Sequence, residues 1–598
     1  MGLLNCTGLI LLQIGDLRPC REIEFQNINP ADGKAIHTMR KEMNTKPVIK
    51  DPRYVTPKKL SRAMAGVLAI VALLVASSGE PRAASQSDKF RIDYIVRIAS
   101  LDQHLFHVIA DVKNIDQPTL ELSLPTWTPG WYTVENYAKN FVRFRVADAK
   151  GDMLPHTMTK KQTWRIETRG LDRIEVEFDY YANILSLNQA KIASDFAFFT
   201  GTELFLMAQD HRNNPSSVRL EIPKGWKVAS ALQTTSDPMV FTAPDYDTLV
   251  DSPTEMGNFD LTSFQVEGRP HYLVVTPVGS LSKENAERFC GMLTGIAHAD
   301  SRMFGGLPYA KYTYFYFFAR AESNASGALE HLSSHVLFAP PGGYATPERL
   351  ANTAAHEYFH LWNVKRIRPI EMWPYDYSRE DETPLLWVSE GFTNYYGNLA
   401  QYRAGLIDQA KFLSTVADAI GGVENNDARE YISPSEASVS TWLGYDTPVE
   451  FGISYYTQGQ NLAALLDLSI RHDTGAAHGL DDVMVSLFHD FYQQGKGFST
   501  EDMIGVINKL TGRDYHDFYR KYVDGVQVPP YDEVLGYAGY RVEKSLASGP
   551  RMGGRATARR AAEIKAEGKQ PASYSLIEDP HPSPDQLRVR SAWLRIDK

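Results

Sequence analysis

The chain has 598 residues, of which 43% are hydrophobic, 11% aromatic and 22% charged, with a formal net charge of -10. That length exceeds what one core serves and predicts several domains. The apolar fraction excludes disorder for most of the chain, and the acidic balance leaves no footprint for a nucleic-acid partner. The three cysteines, Cys6, Cys20 and Cys290, form no Cys-x-x-Cys pair, which excludes a disulfide framework and a thiolate metal site.

In chain order, the first feature is Lys58 to Ala84, where Lys58, Lys59 and Arg62 precede the apolar run Ala65 to Ala76 and then small residues. This is the layout of an export signal, so an exported, periplasmic protein is expected, with membrane attachment only through an uncleaved signal anchor. Residues 1–87 are read as that signal region with a preceding extension, and Met43 or Met64 as alternative starts. From Phe90 to Val266 the segments FRIDYIVRI, HLFHVIADV, TWRIET and RIEVEFDYY alternate with turn residues, which predicts an all-β domain over 88–266. Within it LPTWTPGW, Leu124 to Trp131, reads as a turn pinned by Pro and Trp.

The period then changes. Strands HYLVVTPV and YTYFYFF give way to amphipathic helices, predicting a mixed, mostly helical domain over 267–540. Thr346-Pro347-Glu348 is a helix start, with a cap hydroxyl, a preset φ and an early acid. Ser499 with Asp502 is a capping signature, and Gly512 closes the run MIGVINKLTG. Beyond Glu543 the stretch RMGGRATARRAAEIKAEGKQPAS is basic and poor in large apolar side chains, so 541–598 is predicted to be a disordered tail.

The chemistry concentrates in His356-Glu357-Tyr358-Phe359-His360, which sets two imidazoles one turn apart on one helix face. A catalytic zinc needs a third protein ligand and an open position, and Glu390 in WVSEGFTNYY can supply that ligand from a second helix. Glu357 between the histidines is placed to act as general base on water attacking a carbonyl, which makes amide hydrolysis the reaction class. An oxyanion donor is available at Tyr456, with Tyr455 as the adjacent alternative. Asn394, one turn after Glu390, is a candidate to orient a ligand histidine. In Gly327-Ala328-Leu329-Glu330-His331 a glycine permits close backbone approach and a carboxylate can receive a cation.

HEYFHLWNVKRIRP, from His356 to Pro369, and WVSEGFTNYYG, from Trp387 to Gly397, together resemble the glycyl-aminopeptidase family of zinc metallopeptidases, of the gluzincin type. The resemblance spans about residues 88–540. It implies an N-terminal all-β domain, where WTPGWY fits, followed by a thermolysin-like α+β, mostly helical catalytic domain. It also implies one zinc ion on His356, His360 and Glu390, with Glu357 as base. GALEH is similar to the strand whose glutamate binds the substrate's free α-amine, which assigns Glu330 to the amine and Gly327 and Ala328 to the substrate backbone. Tyr456 with Gly459 is similar to the oxyanion tyrosine and its Tyr-x-x-Gly context. The function implied is removal of N-terminal residues, favouring Gly or Ala, from peptides with a free N-terminus. The alternatives are a zinc endopeptidase or a non-catalytic peptide-binding protein. The family's C-terminal PDZ domain is expected to be absent or truncated here.

Overall fold

The computed structural model describes residues 89–318, 327–340, 345–444, 451–546 and 572–596. These residues belong to one compact unit. The signal reading of Lys58–Ala84 lies outside them. Among the described residues no helix is long and apolar enough to cross a membrane.

Alternating sequence produces the first layer. Arg91–Ser100 buries Ile92, Tyr94 and Val96 on one face, as the two-residue period of a strand requires. It pairs antiparallel with Leu105–Lys113, Ile92 opposite Val112 and Tyr94 opposite Ala110. These two strands are the middle of a seven-stranded sheet that also holds Arg173–Tyr181, Phe141–Asp148 and Ser216–Glu221. A three-stranded and a five-stranded sheet complete the β-rich N-terminal part.

The sheet that carries the site follows. Its strands are β1 (Asp260–Val266), β2 (Arg269–Thr276), β3 (Tyr312–Phe317), β4 (Gly327–His331) and β5 (Ser334–Phe338). Their spatial order is β1-β2-β3-β5-β4, which leaves GALEH on the edge. The sequence boundary between 266 and 267 is corrected here. β1 and β2 form one hairpin, Val266 opposite Arg269, whose turn residues Glu267 and Gly268 have φ of 49° and 73°. The alternation of DLTSFQV matches the strands before it, so periodicity could not reveal that its hydrogen bonds run to the later sheet.

Two helices pack onto this sheet, α1 (Lys283–Phe304) and α2 (Pro347–Phe359); α3 (Thr393–Arg403) packs on both of them, and α4 (Gln409–Glu424) and α5 (Tyr455–Asp473) pack on α3 and on each other. Thr346 stands at the cap of α2 with Pro347 at its first position, but the Thr346 hydroxyl makes no capping bond. Ser499 and Asp502 form the expected capping box, and Gly512 adopts the left-handed conformation that ends that helix.

The disordered tail expected over 541–598 is also corrected. Tyr540–Leu546 pairs antiparallel with Ala572–Glu578, and α6 (Pro584–Trp593) starts from a Ser583/Gln586 capping box. Trp593 is fully buried and its Nε1 donates to the Tyr395 hydroxyl at 2.9 Å. A few large side chains, Trp593, Val589 and Tyr540, dock into the core, so average composition misjudged this segment. The basic, small-residue run that motivated the expectation lies almost wholly outside the described residues.

Candidate active site

Local packing brings the three ligand candidates together. His356 lies in the last turn of α2 and His360 is its C-cap residue, still right-handed at φ -57°. Glu390 lies on a π-helical turn, Trp387–Phe392, that runs straight into α3. Such wide turns recur at functional sites because they re-aim one side chain. Glycines let the elements close. A Cβ on Gly459 of α5 would fall 2.1 Å from the Trp387 carbonyl oxygen, and one on Gly397 would fall 3.0 Å from His356 N.

His360 Nε2 lies 3.0 Å from His356 Nε2 and 3.1 Å from Glu390 Oε2, which is 3.5 Å from His356 Nε2. His360 Nδ1 faces the Asn363 carbonyl oxygen at 3.0 Å, an acceptor, so this nitrogen carries the proton and Nε2 turns toward the centre. The Asn363 side chain donates to the carbonyls of Val388 at 2.9 Å and Ser389 at 3.0 Å and to Thr393 Oγ1 at 3.0 Å. One residue therefore ties the histidine segment to the turn bearing Glu390. Asn394 does not orient a histidine: the groups facing His360 Nδ1 are Asn363 and, at 3.5 Å, Thr393 Oγ1. The side chain of Asn394 emerges on a half-buried position of α3 instead.

The electrostatics call for a cation at the centre. Burial opposes charge on His360, but Glu390 and Glu330 hold it protonated, up to about 10. Burial likewise opposes charge on Glu390, yet His360 and His356 pull it down to about 2. Burial lowers His356, with His360 beside it. Two imidazole nitrogens and a carboxylate oxygen converging in a buried pocket that already demands positive charge fit a divalent metal of the zinc type. Glu357 lies beside them, buried, with Oε2 lacking a hydrogen-bond partner, and burial raises its pKa well above the usual range.

Glu330 on β4 is buried, and its Oε1 has no hydrogen-bond partner. The nearest cation, Lys365 Nζ, stands 3.8 Å from it. Lys365 is itself buried and donates at 3.1 Å to both Asp251 Oδ1 and the Pro129 carbonyl. Gly130 covers the carboxylate: a Cβ there would sit 2.4 Å from Glu330 Oε1, and its φ is 100°. The LPTWTPGW segment is therefore part of the site wall. Tyr132, the residue after it, donates to Glu390 Oε1 at 3.4 Å, and within it Trp127 Nε1 donates to the Asp376 carbonyl at 2.9 Å. Sequence reading missed Gly130, Tyr132, Asn363 and Lys365. The signals available were that the first two stand inside WTPGWY, read only as a turn of the N-terminal domain, and the last two inside HEYFHLWNVKRIRP.

Gly327 and Ala328 lie half-buried at the start of β4. Gly327 borders a cavity of about 290 Å³ that Leu337, Arg349, Leu350 and Thr353 also line. Thr353 is one helical turn before Glu357, so the cavity follows the same face of α2 as the base. Tyr456 is half-buried with its ring facing His356 at 6.2 Å between centroids and 29° between planes. The Tyr455 hydroxyl is taken by Thr441 Oγ1 at 2.9 Å.

Two family models and several solved structures resemble this chain. The model of the peptidase M61 N-terminal domain matches residues 93–258, and that of M61 glycyl aminopeptidase matches residues 349–462. An aminopeptidase N family protein from Idiomarina loihiensis superposes with a TM-score of 0.73 at 23% identity, over 84% of this chain and 100% of that one, which shows a shared fold. An M1 zinc metallopeptidase from Deinococcus radiodurans gives a TM-score of 0.48 at 17% identity, over 74% of this chain and 94% of that one. A yeast LTA4 hydrolase in complex with bestatin gives 0.46 at 13%, over 79% and 75% respectively. No curated protein matches the chain. With both the N-terminal and the catalytic models matched, and His356, Glu357, His360, Glu390 and Tyr456 all inside the second, these two segments are similar to the domains of the M61 glycyl aminopeptidases, and the catalytic segment is that of a metallo-aminopeptidase.

Proposed function

We propose that this protein removes small N-terminal residues, Gly or Ala, from peptides with a free N-terminus, using one zinc ion held by His356, His360 and Glu390. When bound, zinc supplies Lewis-acid polarisation of the scissile carbonyl and acidifies water at neutral pH. Glu357 takes the proton from the attacking water and returns it to the leaving amine. Tyr456 donates its hydroxyl to the oxygen that gains charge. Glu330 receives the α-ammonium, and Gly327 and Ala328 on the edge strand β4 offer main-chain groups to the substrate backbone.

The observation that carries this reading is Glu330: a buried carboxylate beside the triad whose Oε1 accepts no hydrogen bond and meets Lys365 only at 3.8 Å, closed off by Gly130. A dead-ended anionic pocket suits a terminal ammonium and leaves no room for a chain continuing past it, as an endopeptidase needs. The Lys58–Ala84 segment further supports export to the periplasm.

The deciding test compares glycyl and alanyl arylamides with their N-acetylated forms, with and without a chelator. Turnover of the free-amine substrates alone, lost on chelation and restored by zinc, is expected. Cleavage of the acetylated forms would instead make the enzyme an endopeptidase. Zinc-loaded protein inert toward a wide peptide panel would make it a binding protein.

A further inference from the structure

A substrate held as proposed must place its first residue between two fixed points, its ammonium at Glu330 and its carbonyl at the His356, His360 and Glu390 triad. What borders that interval decides how large the first side chain can be. Tyr132 stands there: its hydroxyl reaches Glu390 at 3.4 Å, two residues from Gly130, whose backbone presses on the Glu330 carboxylate. Its ring is fully buried.

A second ring supports it. Trp442 lies on the short turn Ser440–Leu443 and packs edge-on against Tyr132 at 5.7 Å and against Trp127 at 5.1 Å. It is half-buried, and its Nε1 has no hydrogen-bond partner. The turn is clamped to the head of α5 by the Thr441–Tyr455 hydroxyl contact at 2.9 Å. Trp127 is anchored from the other side through Asp376. The three rings thus pack on one another and are tethered from two directions.

We propose that Tyr132 and Trp442 form a fixed aromatic wall that limits the substrate's first residue to glycine or alanine. A hydrogen or a methyl clears such a wall, whereas an isobutyl group has to displace an indole packed on two neighbours. This rests on the aminopeptidase reading above. It assigns that reading's size preference to rings contributed by the N-terminal part and by the turn before α5, neither of which carries the metal.

The test measures kcat/KM of the full zinc-loaded chain for glycyl, alanyl and leucyl arylamides in the wild type, W442A, W442L and W442F, with zinc content recorded for each. A wild type preferring Gly and Ala is expected. The leucyl-to-glycyl ratio should rise roughly ten- to hundredfold in W442A, the range one or two extra carbons are worth in an apolar pocket. W442L should move the same way, and W442F should stay close to the wild type. If W442A folds poorly, W442L carries the comparison. Equal losses on all three substrates, with the ratio unchanged, would mean that Trp442 only supports the fold and would overturn the assignment. A wild type that takes leucyl as readily as glycyl substrates would also overturn it while leaving the aminopeptidase reading intact. Failure to cleave any free-amine substrate would remove both.

Discussion

Glu357 and Glu330 are both buried carboxylates within a few ångströms of the same histidine, yet the proposed function gives them different tasks. Glu357 shares a helix face with the two ligand histidines, while Glu330 comes from the sheet edge, has an open Oε1 and faces Lys365 across 3.8 Å. Replacing Glu357 by Gln keeps the shape and removes the proton acceptor. Zinc content should be unchanged while kcat/KM falls by roughly 10²–10⁴-fold, as metal analysis and arylamide hydrolysis on one preparation would measure. Glu330→Ala removes a charge-assisted contact and should lower kcat/KM for glycyl arylamide by at least about tenfold. Turnover of the acetylated substrate should stay at its baseline. A loss shared equally by free and blocked substrates would remove Glu330 from the amine site.

Among the elements, the π-turn bearing Glu390 is held by what is missing from its neighbours. Gly459 of α5 sits in a helix, where Ala is intrinsically better by about 1 kcal/mol. Its Cβ would nevertheless lie 2.1 Å from the Trp387 carbonyl oxygen, rigid backbone of the turn itself. The contact outweighs the propensity, so Gly459→Ala should lower both Tm and zinc retention. Gly505 is the control: it is exposed within the helix Thr500–Thr511, and a Cβ there meets nothing within 4 Å. Gly505→Ala should raise stability by up to about 1 kcal/mol and leave activity untouched. Thermal melts of the two variants in one buffer separate packing from propensity.

Across the whole molecule, the N-terminal part is joined to the catalytic part by polar contacts as well as by apolar packing. Lys365, five residues past His360, donates to Pro129 and Asp251, and Thr126 N donates to the Tyr377 carbonyl at 2.8 Å. The N-terminal part also stores buried acid. Glu203 is wholly enclosed, accepts from Thr200 N and Oγ1, and burial lifts it from the ordinary 4.5 to about 8. Between those values the folded chain keeps a proton that the unfolded chain has released, so stability falls as pH rises through this window and levels off above it. Glu203→Gln keeps an acceptor for Thr200 without the charge. Its Tm relative to the wild type should therefore be lowest near pH 4.5 and gain a few degrees by pH 8.5. A difference that stays constant with pH would mean Glu203 is ionised in the fold.

The cluster of His356, His360 and Glu390 with Glu357 beside it was legible because each member rests on short-range geometry. Two histidines four residues apart share a helix face in any context, and a Glu-Gly pair ahead of a helix needs only its partner helix to come near. The β-rich and helical halves were legible for the same reason, as periods of two and of 3.6 are local. Tertiary structure alone decided what sequence distance hides. Gly130 and Glu330 stand 200 residues apart, and nothing at either position announces that one backbone will cover the other's carboxylate. The last strand pair and Trp593 show the converse: composition averaged over a segment cannot register a few side chains that find a vacant place in a core built by the rest of the chain. Burial, and with it the charge state of His360, Glu390 and Glu357, exists only once the sheet edge, the π-turn and the WTPGWY turn have closed around the same few cubic ångströms.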